Sequence, residues 1–357
     1  MEDNTNTKKK KKSRWITAGF FAFSLVVVAV IAIMEFGGEK DRHLENIKFN
    51  FAFLAAAVGC FLMALLCETL KYSFLLRGRG VKNRKNLGFT CAVIGKYYDN
   101  ITPAGAGGQG FQMYHLSKNG CDHGTAGGLP IIGFLGLQFA FVFIGIMIMI
   151  FGGRYIGDIV VIRATAIAGL VFYAFIPMCI ILFAVAPGLL ESIIRWGTRM
   201  GGRFHLLKDP EKANSKALGS LKQYTDALRE FGRNTKQIIV VGLLSLVYQC
   251  AIMSIPFFVL RFFGADILFI DCFCRVVYIY AAMAIIFTPG NSGAAEASFY
   301  MVFSSLSGGA IFWGMLVWRM LCYYSWIILG AVVQLHDRLS KKRKQKKASV
   351  QNYKPDN

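Results

Sequence analysis

Thr102-Pro-Ala-Gly-Ala-Gly-Gly-Gln-Gly-Phe-Gln-Met-Tyr114 returns 186 positions later as Thr288-Pro-Gly-Asn-Ser-Gly-Ala-Ala-Glu-Ala-Ser-Phe-Tyr300. The segments align without gaps, and Thr102/Thr288, Pro103/Pro289, Gly107/Gly293 and Tyr114/Tyr300 are identical pairs. Both lie among apolar residues. A proline- and glycine-rich break repeated in two apolar halves is the pattern of broken membrane helices that bring backbone polar groups to an interior site.

The chain has 357 residues, 55% of them hydrophobic, which fits only an all-α integral membrane protein. Apolar runs occur at Trp15–Phe36, Phe51–Leu76, Gly128–Phe151, Ile159–Pro187, Gln237–Phe262 and Ala310–Gln334. Each reaches the roughly 20 residues that cross a bilayer core. Trp15–Phe36 follows a basic flank but is long and lacks a small-x-small cleavage site, so it reads as an uncleaved anchor. The net charge of +20 resides in Met1–Arg14, Arg77–Lys85, Glu191–Lys236 and His336–Asn357, whereas Glu39–Lys48 and Arg154–Asp158 are balanced. The positive-inside rule then places both termini on the cytoplasmic side of the cell membrane. The basic segments are expected to meet anionic lipid head groups, not nucleic acid.

This gives six long spans plus re-entrant hairpins near 87–117 and 268–306, or about eight spans if each hairpin is a pair. The expected organisation is a basic N-terminus (1–14), a first membrane half (15–187), a cytoplasmic connection (188–236), a second half (237–335) and a basic tail (336–357). Within the connection, Lys222–Phe231 reads as a short helix near the surface. Phe51 and Gln237 are also 186 apart, so the halves read as an inverted-topology repeat.

In the first hairpin, Pro103 interrupts a helix and a new one is expected to start near Gly107 and Gly108. Its free N–H groups and positive dipole end would suit a phosphate or carboxylate. Gln109 and Gln112 share a face of that helix and can donate to phosphate oxygens or hydroxyls. Lys96, Asp99 and Asn100 lie at the same depth. In the second hairpin, Pro289, Asn291, Gly293 and Glu296 occupy the matching places. A carboxylate there costs roughly 2.5–3.5 kcal/mol, so Glu296 must be paired, protonated or facing water. A hairpin cap, an ion pair with Arg275 or Arg319, a head-group contact and a titrating role are all open. Arg319 is the second costly charge, with Glu296 or a substrate phosphate as its partner. Arg163 is expected to snorkel, and Trp15, Trp196, Trp313 and Trp318 to anchor or pack.

Nine cysteines are scattered, and Cys272-Phe-Cys274 has the wrong spacing for a zinc pair, so free thiols are expected. No nucleotide-binding loop, nucleophile elbow or metal-ligand spacing is present, so neither catalytic residues, metal nor cofactor are assigned.

Asp99–Leu116, together with Thr288–Glu296, resembles the flippase-like membrane domain of the lysylphosphatidylglycerol synthases, the family that includes the multiple peptide resistance factor. The resemblance covers nearly the whole chain and places Gly107, Gly108, Gln109, Gln112, Pro289, Gly293 and Glu296 in shared motifs. It implies movement of a phospholipid, aminoacylated or anionic, or of a polyprenyl-phosphate glycolipid. In two-part members a soluble domain makes the aminoacyl lipid; here the sequence reaches Asn357 soon after the last span, and a separate soluble transferase is an expected partner if that chemistry occurs. Lysyltransferase activity linked to cationic-peptide resistance is the alternative the resemblance implies, and a small-solute transporter is a third reading of the repeat.

Overall fold

The computed structural model describes residues 49–81, 86–102, 105, 107–152, 160–203, 209–284, 291, 294–303, 305–306 and 308–351. The expected span Trp15–Phe36 and the residues Pro103, Pro289 and Gly293 lie outside them. In chain order the helices are α1 (Phe51–Gly78), α2 (Leu87–Ile101), α3 (Gly108–Lys118), α4 (His123–Phe151), α5 (Val160–Val185) and α6 (Pro187–Arg203). They continue as α7 (Pro210–Arg233), α8 (Thr235–Phe262), α9 (Phe269–Met283), α10 (Ala294–Val302), α11 (Gly308–Arg319), a π-helical turn (Met320–Tyr324) and α12 (Ser325–Gln351). No strand occurs among the described residues.

Five helical stretches among the described residues are long and apolar enough to cross a bilayer: Phe51–Gly78, His123–Phe151, Arg163–Val185, Thr235–Phe262 and Ala310–Asp337. They coincide with five of the six apolar runs. The starts of three of them are set by polar residues that hydropathy does not weigh. Asn50 accepts the Ala52 N–H, Asp122 the Thr125 N–H and Asn234 the Gln237 N–H, at 3.2, 2.9 and 3.1 Å. Each cap satisfies a donor that the first turn leaves unpaired.

α1 and α8 run antiparallel and form the most extensive helix pair. The Asn50 N–H donates to Phe262 O at 3.2 Å at one end, and Gly78 lies against Gln237 at the other. Close approach elsewhere depends on small residues, as is usual when lipid offers no hydrophobic drive between helices. Gly136 admits Val241 and Ser245 of α8 to α4, and Gly330 admits the Tyr97 ring to α12. A larger residue at either position would separate the helices.

The connection between the halves is more structured than the expected short helix at Lys222–Phe231. α6 and α7 pack on one another, and α7 lies along α4. Asp209 caps α7 through the Lys212 N–H at 3.0 Å, and Pro210 begins its first turn. Leu221, Thr225 and Leu228 are buried one turn apart, giving α7 the seam that holds it to the membrane helices.

Candidate functional site

α1 presents Glu68, Lys71 and Tyr72, and α2 presents Lys96, Asp99 and Asn100, with the same i, i+3, i+4 spacing. That spacing puts three polar side chains on one face of each helix. Glu68 and Lys71 are both 1% exposed; the Lys71 ammonium lies 2.9 Å from Glu68 Oε1 and donates to Gly133 O at 3.2 Å. Lys96 Nζ stands 3.9 Å from the same carboxylate and 4.7 Å from the centre of the Tyr248 ring on α8. Ionised groups this deep in apolar helices require such partners.

At the first break the chain leaves α2 at Ile101, passes through Gly105 at φ +62°, and resumes as α3 at Gly108. Two N–H groups at this start are met by the protein itself. Asp99 Oδ1 accepts from the Gly108 N–H at 3.0 Å, and Thr102 Oγ1 from the Gly107 N–H at 2.9 Å. This differs from the expectation that these groups stand free for a phosphate. A side-chain carboxylate already complements the positive helix end, which is what an unsolvated N-terminus demands. Gln112 is also engaged: its carbonyl accepts from the Tyr72 hydroxyl at 3.2 Å and its amide donates to Cys91 O at 3.0 Å.

In the second half, Arg319 Nε lies 2.8 Å from Glu296 Oε1, and both side chains are under a tenth exposed. Arg275 is committed elsewhere, to Asp271 Oδ1 and Val302 O, each at 2.7 Å. Of the open roles for Glu296, the ion pair with Arg319 is therefore the one the geometry displays. The Arg319 guanidinium also sits 4.7 Å from the Tyr323 ring centre. The π turn begins directly after Arg319, and the Ser325 hydroxyl donates to Met320 O five residues back at 2.8 Å, supporting it. Such turns interrupt membrane helices where side chains must be re-aimed.

These elements enclose a cavity of about 280 Å³. Lys96, Asp99, Asn100, Gln109, Gln112, Asn291 and Arg319, all singled out from the sequence, line it. Glu296 does not; it meets Arg319, which does. Gly107 and Gly108 form the helix start beside it. Glu68, Tyr72 and Tyr248 also line the cavity, and Lys71 supports Glu68; the sequence reading missed all four. Opposite charges at i and i+3 inside the run Phe51–Leu76 were the available signal. Trp318, offered as an anchor or as packing, is packing: it is 2% exposed and stacks on Phe299 with ring centres 5.1 Å apart.

On the far side of the α4–α8 contact lies a recess of about 670 Å³ with almost wholly apolar walls, Phe139, Phe143, Ile181 and Leu246 among them. The Gln249 amide, on the cavity side, donates to Leu137 O at 3.2 Å and bridges α8 and α4.

Fold and site together define a multi-pass helical membrane protein with a charged cavity inside apolar helices. The family model described as lysylphosphatidylglycerol synthase TM region matches residues 16–330, and the chain belongs to that family. It is also similar to a UPF0104 membrane protein of Archaeoglobus fulgidus, with 29% identity over 128 residues, covering 35% of this chain and 39% of that protein. The chain thus matches about two-fifths of the length of this relative.

Proposed function

We propose that the protein carries a lipid with a charged, phosphate-bearing head group between the leaflets of the cell membrane. The observation that supports this most is the cavity itself: Lys96 and Arg319, drawn from the two halves, face one polar space surrounded by apolar helices. At about 280 Å³ it lies at the small end of ligand sites, which run roughly 300–1,000 Å³. It therefore suits a head group and excludes a whole lipid. The apolar recess across α4 and α8 offers an acyl chain a path beside it, which favours a lipid over a water-soluble solute.

An inverted repeat would let such a cavity open to either side in turn. Two features support it. Ala294, where α10 starts, stands 186 positions after Gly108, where α3 starts, and α1 runs antiparallel to its counterpart α8. In this arrangement the first-half and second-half breaks act as re-entrant elements, and the basic termini and the α6–α7 connection lie on the cytoplasmic side.

The test is leaflet exchange of fluorescent phospholipids in proteoliposomes, measured by the fraction of label that an impermeant quencher reaches. Wild-type protein should make nearly all label accessible, while Lys96→Gln should slow exchange at least tenfold with folding intact. Folded protein that moves none of several anionic or zwitterionic phospholipids would refute the reading.

The family's description favours one second reading: a membrane part of a lysylphosphatidylglycerol synthase working with a separate soluble transferase. Loss of lysyl lipid from cells lacking this protein, with leaflet exchange in liposomes absent, would support it instead.

A further inference from the structure

The cavity's charges cancel. Lys96 and Arg319 line it with Glu68 and Asp99, while Lys71 and Glu296 complete ion pairs behind it at 2.9 and 2.8 Å. Three cations thus face three carboxylates. The six are not equally committed. Glu68–Lys71 and Glu296–Arg319 are close, buried pairs, and Asp99 holds the Gly108 N–H. Lys96 has no close carboxylate: the nearest is 3.9 Å away and already engaged by Lys71, its other partner is the Tyr248 side chain of α8, and its own side chain keeps 19% exposure. An anion entering the cavity reaches Lys96 with least disruption.

An anion docked there takes the cavity from net zero to minus one. An uncompensated charge among apolar helices is strongly unfavourable. With Lys96 turned to the anion, Glu68 stays paired with Lys71, and Asp99 is left with the Gly108 N–H as its close partner. The charged and titratable groups around Asp99 are Glu68, Lys71 and Tyr72 of α1, Lys96 of α2 and Tyr173 of α5, with Tyr248 of α8, Tyr280 of α9, Arg319 of α11 and Cys322 and Tyr323 of the π turn lining the same cavity. Lysine, arginine, tyrosine and cysteine side chains ordinarily hold their protons near neutral pH. Only the carboxylates can accept one.

We propose that an anionic head group enters this cavity together with one proton, taken from bulk water by the Asp99 carboxylate. The proposal rests on the lipid reading above and deepens it. A head group of net charge −1 then moves as a neutral unit, and a pH gradient drives it. A zwitterionic head group brings its own cation and takes no proton.

The experiment uses the purified full chain in detergent and two short-chain lipids, dioctanoyl phosphatidylglycerol (net −1) and dioctanoyl phosphatidylcholine (net zero). Binding is measured in weak buffer with a pH-sensitive dye. About one proton should be taken up per phosphatidylglycerol bound and none per phosphatidylcholine. Phosphatidylglycerol affinity should fall about tenfold per unit of rising pH, the linkage for one coupled proton. Asp99→Asn keeps an oxygen for the Gly108 N–H but starts the cavity at plus one. It should bind phosphatidylglycerol more tightly, without proton uptake and without pH dependence. Phosphatidylglycerol binding to the wild type with no proton uptake and pH-independent affinity overturns the coupling while leaving the lipid reading standing. That wild-type result decides the matter even if the variant fails to fold. Binding of neither lipid refutes the lipid reading, and the coupling with it.

Discussion

Asn100 and Tyr323 hold each other by two hydrogen bonds: the Asn100 amide donates to Tyr323 O at 3.4 Å, and the Tyr323 hydroxyl donates to Asn100 O at 3.2 Å. They join the end of α2, at the first break, to the π turn that follows Arg319. The ring of the same tyrosine lies against the Arg319 guanidinium. Tyr323→Phe keeps the ring and removes the hydroxyl. It should lower stability by about 1 kcal/mol, the net value of one buried hydrogen bond. Denaturant unfolding in detergent measures this, and an unchanged midpoint would show that the contact carries no stability.

The Glu296–Arg319 pair invites a double-mutant cycle. Glu296→Gln alone leaves the Arg319 guanidinium buried opposite a neutral amide and should cost about 3–5 kcal/mol. Adding Arg319→Gln removes the orphaned charge, and the double variant should be more stable than Glu296→Gln. Costs that simply add would mean that the two side chains act independently.

Gly108 begins α3 where a Cβ would lie 2.2 Å from Asp99 Oδ1 and 2.6 Å from Gly95 O. Replacing glycine by alanine inside a helix ordinarily gains roughly 0.5–1 kcal/mol. Here the sign should reverse. Gly108→Ala must push α3 away from α2 and break the bond from the Gly108 N–H to Asp99, so the unfolding midpoint should fall. Gly110, with open space around its Cβ position, is the control, and alanine there should be neutral or stabilising.

The broken helix at Thr102–Gly108 and the paired charges Glu296 and Arg319 were legible because each violates a local rule of membrane helices. A glycine cluster interrupts helix, and a lone charge demands a partner. The contacts that close the cavity were not legible. Glu68 and Lys71 lie three apart within one apolar run, so their charges cancel in any windowed sum, and only pairing them at helical spacing would have exposed them. Lys96 meeting Tyr248, and Asn100 meeting Tyr323, depend on how two halves pack across more than 150 positions of chain. No local pattern encodes such a pairing. The occupied N–H groups of Gly107 and Gly108 follow the same logic: the motif's glycines marked a helix start, but Asp99 and Thr102 reach it only because the start of α3 lies against the last turn of α2.

Asp122 offers a pH-dependent check outside the membrane spans. It caps α4 through the Thr125 N–H at 2.9 Å, and hydrogen bonds from the Thr125 hydroxyl and N–H hold its carboxyl below the usual carboxylate range. A folded-state value below the unfolded one means that the unfolded chain binds the proton more readily. The cap's contribution is therefore full above the unfolded value of about 3.9 and is lost as pH falls through the lower folded value. Asp122→Ala should cost about 1 kcal/mol at neutral pH, as other N-cap deletions do. The gap between variant and wild type should narrow in acid and nearly close once the wild-type carboxyl is protonated. Denaturant midpoints of both proteins between pH 7 and the acid limit of the detergent system measure this, and a gap that stays constant or widens in acid would show that the ionised cap does not hold α4.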